Sequence, residues 1–361
     1  GHLYPALALA EAFQRRDPQA EVFFVGAMRG VEARVLPERG VPHHLLPFEP
    51  IRRSRPWENW RLIVGLTRSV TGLSRVFRDF RPELVVGTGG YASGPAVGWG
   101  IVSGVPTAVQ EQNSYPGVTT RWLAGRVRQI HLAFPEAEQY LSPGQRTELF
   151  TLGNPIQPPD PSIDVADARA HFGLGGGTVA LVVGGSQGSL AVNKALLSDL
   201  RGVVEGRLPP PPEGLEILWA TGPAHHEGVA ARLGELGIGW VHAVPYIREM
   251  PRALAASDVA VSRAGAMALA ELCAWGIPSI LVPLPTAAAN HQQHNAVALR
   301  DAGAALLVPQ HELPGGTLWK ELVGLASDPA RRGEISARAR ERGKPDAADR
   351  IVEQLSRLVG G

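Results

Sequence analysis

The feature that most constrains the fold of this chain is a Gly-rich turn between an apolar run and a helical pattern. Residues 178–183 are almost entirely apolar, and residues 184–189 read Gly-Gly-Ser-Gln-Gly-Ser. A strand that ends in glycines and turns into a helix exposes backbone N–H groups at the helix N-terminus, where phosphate binds favourably. Without a ligand, the same pattern is only a tight strand–helix turn, and both interpretations stay open at this point.

Two further Gly-rich turns occur in the first half of the chain. Residues 87–95 read Gly-Thr-Gly-Gly-Tyr-Ala-Ser-Gly-Pro, and the sequence opens with Gly-His-Leu-Tyr-Pro. Turns of this kind in both halves indicate an architecture rather than an isolated loop. Because the sequence starts on Gly-His without a methionine, we expect the first loop to begin upstream of it.

Length and composition narrow the class of protein. A chain of 361 residues suits two domains of roughly 150–200 residues. The net charge of +1 gives no general reason to expect nucleic acid as a partner. The single cysteine, Cys273, excludes an internal disulfide, and no run of about 18 apolar residues predicts a transmembrane helix.

Short apolar runs alternate with helical patterns along the whole chain, which predicts parallel sheets covered by helices. The predicted strands are 21–25, 43–47, 84–87, 107–110, 178–183, 215–220, 240–243, 259–262, 279–282 and 305–308, with helices at 31–36, 57–80 and 347–358 among others. Four prolines within residues 154–164 predict a linker. We therefore expect one domain over 1–157 plus 343–361 and another over 158–342, with ligands in the crevice at the carboxyl ends of their strands.

A second strand–turn–helix in the later half reads Ser-Arg-Ala-Gly-Ala-Met-Ala-Leu-Ala-Glu over residues 262–271. Its small residues would let a ligand approach the helix N-terminus. Glu271 is a lone carboxylate in an apolar helix and needs a partner. A ribose diol could be that partner, since a carboxylate accepts two hydroxyl bonds, and a salt bridge with Arg263 or another cation is the structural alternative.

Two polar segments carry hydrogen-bonding groups that suit sugar hydroxyls. They are Asn-His-Gln-Gln-His-Asn at 290–295 and Gln-Glu-Gln-Asn at 110–113, although solvated capping segments can have the same composition. No acidic or cysteine ligand joins His291 and His294, so we expect no metal. His2 is a candidate general base. Tyr246 and Ile247 could offer an apolar slot to a base, or could simply belong to the core.

Residues 51–81 combine eight arginines with Trp57, Trp60 and regularly spaced aliphatic residues. Basic charge together with tryptophan and leucine along a helix is typical of an element at an anionic membrane surface. An ordinary amphipathic helix with a solvated arginine face is the alternative.

Together these segments resemble the MurG family of glycosyltransferases over essentially the whole chain. The motifs are Gly1-His2-x-x-Pro5, Gly89-Gly90-Tyr91-x-Ser93-Gly94-Pro95, Glu111-Gln112-Asn113, Gly153-Asn154-Pro155, Gly184-Gly185-Ser186-Gln187-Gly188, Ser262-Arg263-x-Gly265-Ala266 with Glu271, and His291-Gln292 with Asn295. The resemblance implies an α/β GT-B fold with two Rossmann-like domains facing a cleft. It also implies an inverting enzyme that moves GlcNAc from UDP-GlcNAc to lipid I, giving lipid II for peptidoglycan.

Roles for individual residues follow from the resemblance. It implies donor contacts at Gly1, Asn113, Ser186, Gln187, Gly188, Tyr246, Ile247, Arg263, Ala266, Met267, Ala268, Leu269, Ala270, Glu271, His291, Gln292 and Asn295. It implies acceptor contacts at Gly89, Gly90, Tyr91, Ser93 and Gly94, and membrane contacts at Trp57, Trp60, Arg61, Leu66, Arg68, Phe77 and Trp122. Within these sets, Ser186 and Gln187 would hold the diphosphate, Glu271 the ribose, and the backbone near Ile247 the uracil.

For catalysis, we expect His2, in preference to Glu111, to be the base that removes a proton from the acceptor hydroxyl. No metal and no cofactor is expected, since no Asp-x-Asp motif occupies the expected site. The expected partners are UDP-GlcNAc, lipid I and the anionic inner membrane at its cytoplasmic face, with no nucleic acid. Gln157 stands where the family often has arginine, which puts a cationic donor contact there in doubt.

Three alternatives remain at the level of sequence. A related GT-B transferase could use another lipid or small-molecule acceptor. A non-hydrolysing UDP-GlcNAc epimerase would share the fold, but should place more charged catalytic residues in the cleft. A silent UDP-sugar-binding protein would not need His2, Glu111 and Glu271.

Overall fold

The computed structural model describes residues 2–47 and 60–359; of residues 60–68 and of Tyr91 it describes the backbone. Contacts divide the chain into two compact units. The first comprises residues 1–156 and 346–361, and the second comprises residues 157–345. Each unit is an α/β layer structure with parallel sheets.

The first unit contains a parallel pair of strands and a four-stranded parallel sheet. Its strands are β1 (Phe24–Ala27), β2 (His43–Leu46), β3 (Val85–Gly87), β4 (Thr107–Glu111), β5 (Gln129–Leu132) and β6 (Glu148–Thr151). Its helices are α1 (Leu3–Arg16), α2 (Glu32–Glu38), α3 (Trp60–Phe80), α4 (Gly90–Val102), α5 (Val118–Leu123) and α14 (Ala347–Ser356), with a 3₁₀ helix over Pro135–Tyr140. The larger sheet has the order β3-β4-β5-β6, so the turns that follow β3, β4 and β5 lie at one edge.

The C-terminal helix α14 completes the core of this first unit. Its apolar residues Ile351 and Leu355 are fully buried, and they pack with Leu9 and Ala12 of α1. The i, i+4 spacing of the α14 pair and the i, i+3 spacing of the α1 pair place each pair on one face of its helix, and burying that face stabilises the helix more than its intrinsic propensity does. The amphipathic pattern at the end of the chain thus belongs to the first unit.

The second unit contains one six-stranded parallel sheet. Its strands are β7 (Val179–Val183), β8 (Glu216–Ala220), β9 (Val241–Val244), β10 (Val259–Ser262), β11 (Ser279–Leu281) and β12 (Leu306–Leu307). Its helices are α6 (Val165–His171), α7 (Leu190–Val204), α8 (His226–Glu235), α9 (Met250–Ala256), α10 (Ala266–Trp275), α11 (His291–Asp301), α12 (Thr317–Ser327) and α13 (Pro329–Arg342), with 3₁₀ turns at Ala288–Asn290 and Gln310–Glu312.

The strand order in this sheet is β12-β11-β10-β7-β8-β9. The direction of the winding reverses between β7 and β10, which pair in parallel from Val259↔Ala180 to Ser262↔Val183. In an open doubly wound sheet, ligands bind beyond the carboxyl ends of the strands at such a reversal. The Gly-rich turn after β7 and the Arg-Ala-Gly turn after β10 both begin at this point.

The predicted strands agree with the structure to within a few residues, but β5 and β6 were missed. Gln129 and His131 alternate with Ile130 and Leu132 in β5, and all four are buried. A four-residue strand with two buried polar side chains carries no clear hydrophobic signal, because tertiary contacts rather than periodicity place it. Among the described residues, no helix is long and apolar enough to cross a membrane.

Candidate active site

The Gly-rich turn after β7 presses against the turn that follows β8. A Cβ atom on Gly188 would collide with the carbonyl oxygen of Thr221, and one on Gly184 would collide with the backbone nitrogen of Ser189. Gly185 and Gly188 both have positive φ, at 91° and 74°. The turn therefore requires glycine for conformation and for close approach. The side chains of Ser186 and Gln187 lie exposed at its tip.

Helix α7 begins directly after this turn. The Ser189 hydroxyl caps it by accepting a hydrogen bond from the Val192 N–H at 3.3 Å. The positive end of the helix dipole and the exposed tip of the turn therefore point the same way, which favours an anion there.

Asn193 is a residue of this site that the sequence analysis missed. It is 3% exposed, and its Nδ2 donates to the Thr221 carbonyl oxygen at 2.7 Å while its Oδ1 accepts from Trp219 Nε1 at 3.2 Å. These bonds tie α7 to the end of β8. The signal in the sequence was an asparagine four residues after the helix cap, on the apolar face.

Glu271 lies in the second turn of α10 without a hydrogen-bonding or ionic partner among the described residues. Burial raises the pKa of its carboxyl to about 7. The salt bridge with Arg263 is wrong, because that guanidinium donates instead to the carbonyls of Val282 and Pro283, at 3.0 and 3.1 Å, and to Gln310. A half-buried carboxylate without a partner is costly unless a ligand supplies one.

The helix N-terminus around Ala266 exposes some of the predicted donor contacts and buries others. Leu269 is 1% exposed, so its side chain belongs to the core, and Ala266 is also buried. Met267, Ala268 and Ala270 are half-buried. A Cβ on Gly265 would meet nothing within 4 Å, so the space in front of the helix is open.

The turn after β9 also buries one predicted donor residue and exposes another. The Ile247 side chain is 4% exposed and packs in the core beside α9, whereas Tyr246 is 52% exposed. The core interpretation is therefore correct for the Ile247 side chain. Any ligand contact there involves the backbone of Ile247 or the ring of Tyr246.

The polar residues at the start of α11 hold the loop before it. Gln292 Oε1 accepts from the Leu284 N–H at 3.0 Å, and His291 Nδ1 donates to the Ala288 carbonyl at 2.6 Å. Asn295 is fully buried, with Nδ2 donating to the Ala264 carbonyl at 3.2 Å. Of these three residues, Gln292 keeps its Nε2 group without a described partner.

In the first unit, two hydrogen bonds orient His2. Its Nδ1 lies 3.0 Å from Gln112 Oε1 and 3.1 Å from the Thr88 carbonyl oxygen. Both neighbours are acceptors, so Nδ1 carries the proton in the neutral ring and Nε2 carries the lone pair. The side chain of His2 is exposed, which leaves Nε2 able to accept a proton.

Buried amides behind His2 determine the orientation of Gln112. Its Nε2 donates to the carbonyls of Thr88 and Gln110, both at 2.9 Å, so its Oε1 must face His2. Gln110 Nε2 in turn donates to Asn154 Oδ1 at 3.1 Å, and Asn154 Nδ2 donates to the Gln112 carbonyl. The network is neutral throughout, so His2 is oriented by dipoles rather than by a carboxylate.

Glu111 holds the next turn of the chain instead of contacting His2. Its Oε1 accepts from the backbone and side chain of Asn113 at 3.1 and 3.2 Å. Its Oε2 accepts from the Gly117 N–H at 3.0 Å and from the Thr120 hydroxyl at 2.6 Å. With four donors on a buried carboxylate, Glu111 has little capacity left to act as a base, which favours His2.

The predicted acceptor loop packs against the His2 ring. Gly89 and Gly90 have φ values of 93° and 78°, and a Cβ on Gly89 would lie 2.6 Å from His2 Nδ1. The Ser93 hydroxyl accepts from the Gly89 N–H at 3.3 Å and helps to keep this shape. For Tyr91, only the backbone is described.

The predicted membrane residues are described only in part. Trp122 is 55% exposed, with the Arg126 guanidinium 5.1 Å from its ring centre. Phe77 packs against the core formed by α3, α4 and β2. Trp60, Arg61, Leu66 and Arg68 lie in α3, and their side chains are outside the description; Trp57 and Gly1 fall outside the described residues altogether.

Family models match both halves of the chain. The glycosyltransferase family 28 N-terminal domain matches residues 1–132, and the family 28 C-terminal domain matches residues 179–351. Together with the parallel α/β sheets and the exposed Gly-rich turn at residues 184–189, these matches define a glycosyltransferase of the GT-B fold.

Similar proteins narrow this class. The UDP-N-acetylglucosamine–N-acetylmuramyl-(pentapeptide) pyrophosphoryl-undecaprenol N-acetylglucosamine transferase of Moorella thermoacetica is 37% identical over 99% of this chain and 96% of that protein. The enzyme of the same name from Porphyromonas gingivalis is 37% identical over 99% of this chain and 93% of its own. The chain therefore belongs to the MurG family, which confirms the resemblance and the fold class.

Solved structures agree with this assignment. The crystal structure of Acinetobacter baumannii MurG has a TM-score of 0.75 and 26% identity, covering 99% of this chain and 96% of that one. A putative UDP-N-acetylglucosamine 2-epimerase from Listeria monocytogenes has a TM-score of 0.64 at 16% identity, covering 96% of this chain and 91% of its own, and shows the shared fold alone.

Proposed function

We propose that this chain transfers N-acetylglucosamine from UDP-GlcNAc to the muramyl 4-hydroxyl of undecaprenyl-pyrophosphoryl-MurNAc-pentapeptide, with inversion, giving lipid II. The names of full-length relatives support the reaction. The observation that carries the mechanism is the fixed orientation of His2, whose Nδ1 is hydrogen-bonded to two acceptors while its side chain is exposed.

The donor would bind to the second unit. Its diphosphate would lie on the 184–189 turn, where Ser186 supplies a hydroxyl and α7 supplies the positive end of its dipole. Glu271 would accept the two ribose hydroxyls, and that pairing would satisfy a carboxylate which has no described partner. Gln292 would offer its free Nε2 group to the diphosphate or the sugar.

The acceptor would bind to the first unit. The Gly89–Gly90 turn contacts the His2 ring, so a pyrophosphate on this loop would bring the muramyl sugar close to the imidazole. His2 Nε2 would remove the proton from the 4-hydroxyl as its oxygen attacks the anomeric carbon of GlcNAc. The backbone N–H groups of the 184–189 turn and Ser186 would stabilise the UDP leaving group, and the proposed step uses no metal or cofactor.

A change of His2 tests the mechanism. His2→Asn keeps a donor near the position of Nδ1 but lacks the second ring nitrogen. We expect turnover on a short-chain lipid I analogue to fall about 10²–10⁴-fold, as is usual when a general base is lost. UDP affinity, measured by calorimetry, should stay the same. A variant with normal turnover would show that His2 is not the base.

We also propose that the first unit lies on an anionic membrane surface, at the cytoplasmic face of the inner membrane. Exposed Trp122, with the Arg126 cation above its ring, has the chemistry of an interfacial anchor. Trp122→Ala should weaken sedimentation with vesicles that contain anionic phospholipid, and neutral vesicles provide the control. Equal sedimentation of the parent chain and of Trp122→Ala would show that Trp122 does not contact the membrane.

A further inference from the structure

Two tyrosines and an arginine form a cluster beside α5 that no proposed catalytic step uses. Arg121 Nη1 donates to the Tyr115 hydroxyl at 3.1 Å, and its guanidinium carbon lies 5.1 Å from the centre of the Tyr115 ring. The Tyr115 and Tyr140 rings meet edge to face, with centroids 4.8 Å apart. We call these three residues the aromatic–arginine cluster.

The charge of this cluster is not neutralised by the residues that the structure describes. Arg121 is exposed, and no described carboxylate forms an ion pair with it. Its contact with Tyr115 uses one of the five N–H donors of the guanidinium. A planar fork held by stacking on an aromatic ring is pre-organised for a carboxylate, because less side-chain entropy is lost on binding.

Hydrogen bonds to Glu111 fix the segment that carries Tyr115 and Arg121. Residues 113–121 form a loop and the first turn of α5. Glu111 holds both ends of this segment by bonding to Asn113 and to Thr120. Movement of the cluster relative to Asn113 is thereby restricted. Tyr115 and Arg121 of the aromatic–arginine cluster are thus held in the same segment as Asn113, which the resemblance places at the sugar of the donor.

Helix geometry places Arg121 on the far side of α5 from the Gly89–Gly90 turn. Thr119 faces that turn, with its hydroxyl 3.4 Å from the Gly90 carbonyl and its methyl group in contact range of Gly94. Arg121 follows two residues later, about 200° around the helix axis. A ligand group that binds Arg121 is therefore a different group from the one that binds the Gly-rich loop.

The proposed acceptor carries two groups that extend from its sugar. The pyrophosphate is attached at carbon 1, and the peptide is joined through the lactyl group on carbon 3, next to the reacting 4-hydroxyl. A peptide with an unmodified end carries a carboxylate. If the Gly-rich loop receives the pyrophosphate, the group left for the opposite side is the peptide.

We propose that the aromatic–arginine cluster is the subsite for the acceptor peptide, with Arg121 paired to a peptide carboxylate and the tyrosine rings packed against the peptide backbone. This inference rests on the proposed function, since it assumes that the acceptor is a muramyl peptide. It assigns selection of the acceptor peptide to the first unit.

Two acceptors that differ only in the peptide test this subsite. One is the short-chain lipid I analogue with its pentapeptide, and the other carries a simple amide on the lactyl group. For Arg121→Gln, we expect the ratio of kcat/KM between the two acceptors to fall about tenfold, with the KM for UDP-GlcNAc unchanged. Arg121→Lys keeps the charge but loses the fork, so the ratio should recover only in part.

Arg146→Gln is the matched control, because it removes an exposed arginine from the same unit, close to the amino end of β6. It should leave the ratio unchanged. A ratio that is also unchanged in Arg121→Gln would overturn the proposal. So would equal losses on both acceptors with weaker vesicle sedimentation, which would make Arg121 a membrane residue.

A binding measurement separates this inference from the proposed function. Soluble muramyl-pentapeptide, with a free or an amidated terminal carboxyl, is titrated into the protein while the tyrosine ring resonances are followed by NMR. We expect the Tyr115 and Tyr140 signals to move with the free acid and less with the amide. If neither acceptor is turned over, the proposed function fails and the titration still decides the subsite; rings that move with neither peptide exclude it.

Discussion

Two carboxylates, one in each unit, differ in how far their hydrogen-bonding capacity is satisfied. Glu111 is 3% exposed and accepts hydrogen bonds from four donors of its own unit. Glu271 is half-buried and has no described partner, and burial raises the pKa of its carboxyl to about 7. A carboxylate whose bonds are complete stabilises the structure around it, whereas one that is buried and incomplete is suited to a ligand.

We expect the largest loss of stability when the four hydrogen bonds to Glu111 are removed. Glu111→Ala leaves two backbone N–H groups and the buried Thr120 hydroxyl without their acceptor, at a cost of about 2–4 kcal/mol in unfolding free energy. Urea denaturation of both proteins at pH 8 measures this cost. UDP affinity should be unchanged, because the four donors all lie in the first unit.

Glu111→Gln is the control for that change, since its amide keeps one acceptor oxygen and the side-chain volume. It should lose about half as much stability as Glu111→Ala. If both variants were as stable as the parent chain, the four hydrogen bonds would not be organising the turn.

A change of Glu271 should instead weaken UDP binding without lowering stability. Glu271→Gln removes the charge that we propose for the ribose and should weaken UDP binding by about 1.5–3 kcal/mol, the usual worth of hydrogen bonds to a charged group. Calorimetry at pH 8 measures the affinity. Unfolding at the same pH should show no loss of stability, because a costly unpaired charge has been removed. An unaltered UDP affinity would reject the ribose role.

Stability should also depend on pH through Glu271. Its pKa is raised on folding from 4.5 to about 7, so the folded chain holds the proton more tightly and is stabilised at low pH. That contribution, at most about 3 kcal/mol, declines as pH rises from about 4.5 and is gone above 7. Comparing the parent chain with Glu271→Gln between pH 5 and 8 isolates it. Asp199, whose pKa burial raises to about 6, acts in the same direction and is present in both proteins.

The last prediction concerns Asn193, which supports the Gly-rich turn at residues 184–189 and should affect UDP affinity only slightly. Asn193→Leu leaves the Trp219 N–H and the Thr221 carbonyl without their partner, which should cost about 1–3 kcal/mol of stability. UDP affinity should fall by about 1 kcal/mol or less, since the variant retains Ser186 and the start of α7. Equal affinity together with lower stability would make Asn193 a residue of the core alone.

Much of the fold could be predicted from the sequence because the signals were local. The apolar run before the glycines at 184–189, and the alternation of strands and helices, indicated parallel sheets without any knowledge of contacts. The strands β5 and β6 could not be recognised in this way. Gln129 and His131 are buried in β5 by neighbouring strands, and a four-residue window does not contain that information.

The site was predictable as a set of residues and not as a set of bonds. The sequence alone determined that Glu271 would need a partner and that His2 and Glu111 were both candidates for the base. Only the tertiary structure decided that Arg263 bonds to backbone carbonyls, that Glu111 is saturated and that two acceptors orient His2. The reason is physical: the periodicity of a segment determines which face is apolar, whereas the partners of a polar atom come from residues as distant in sequence as His2 and Gln112.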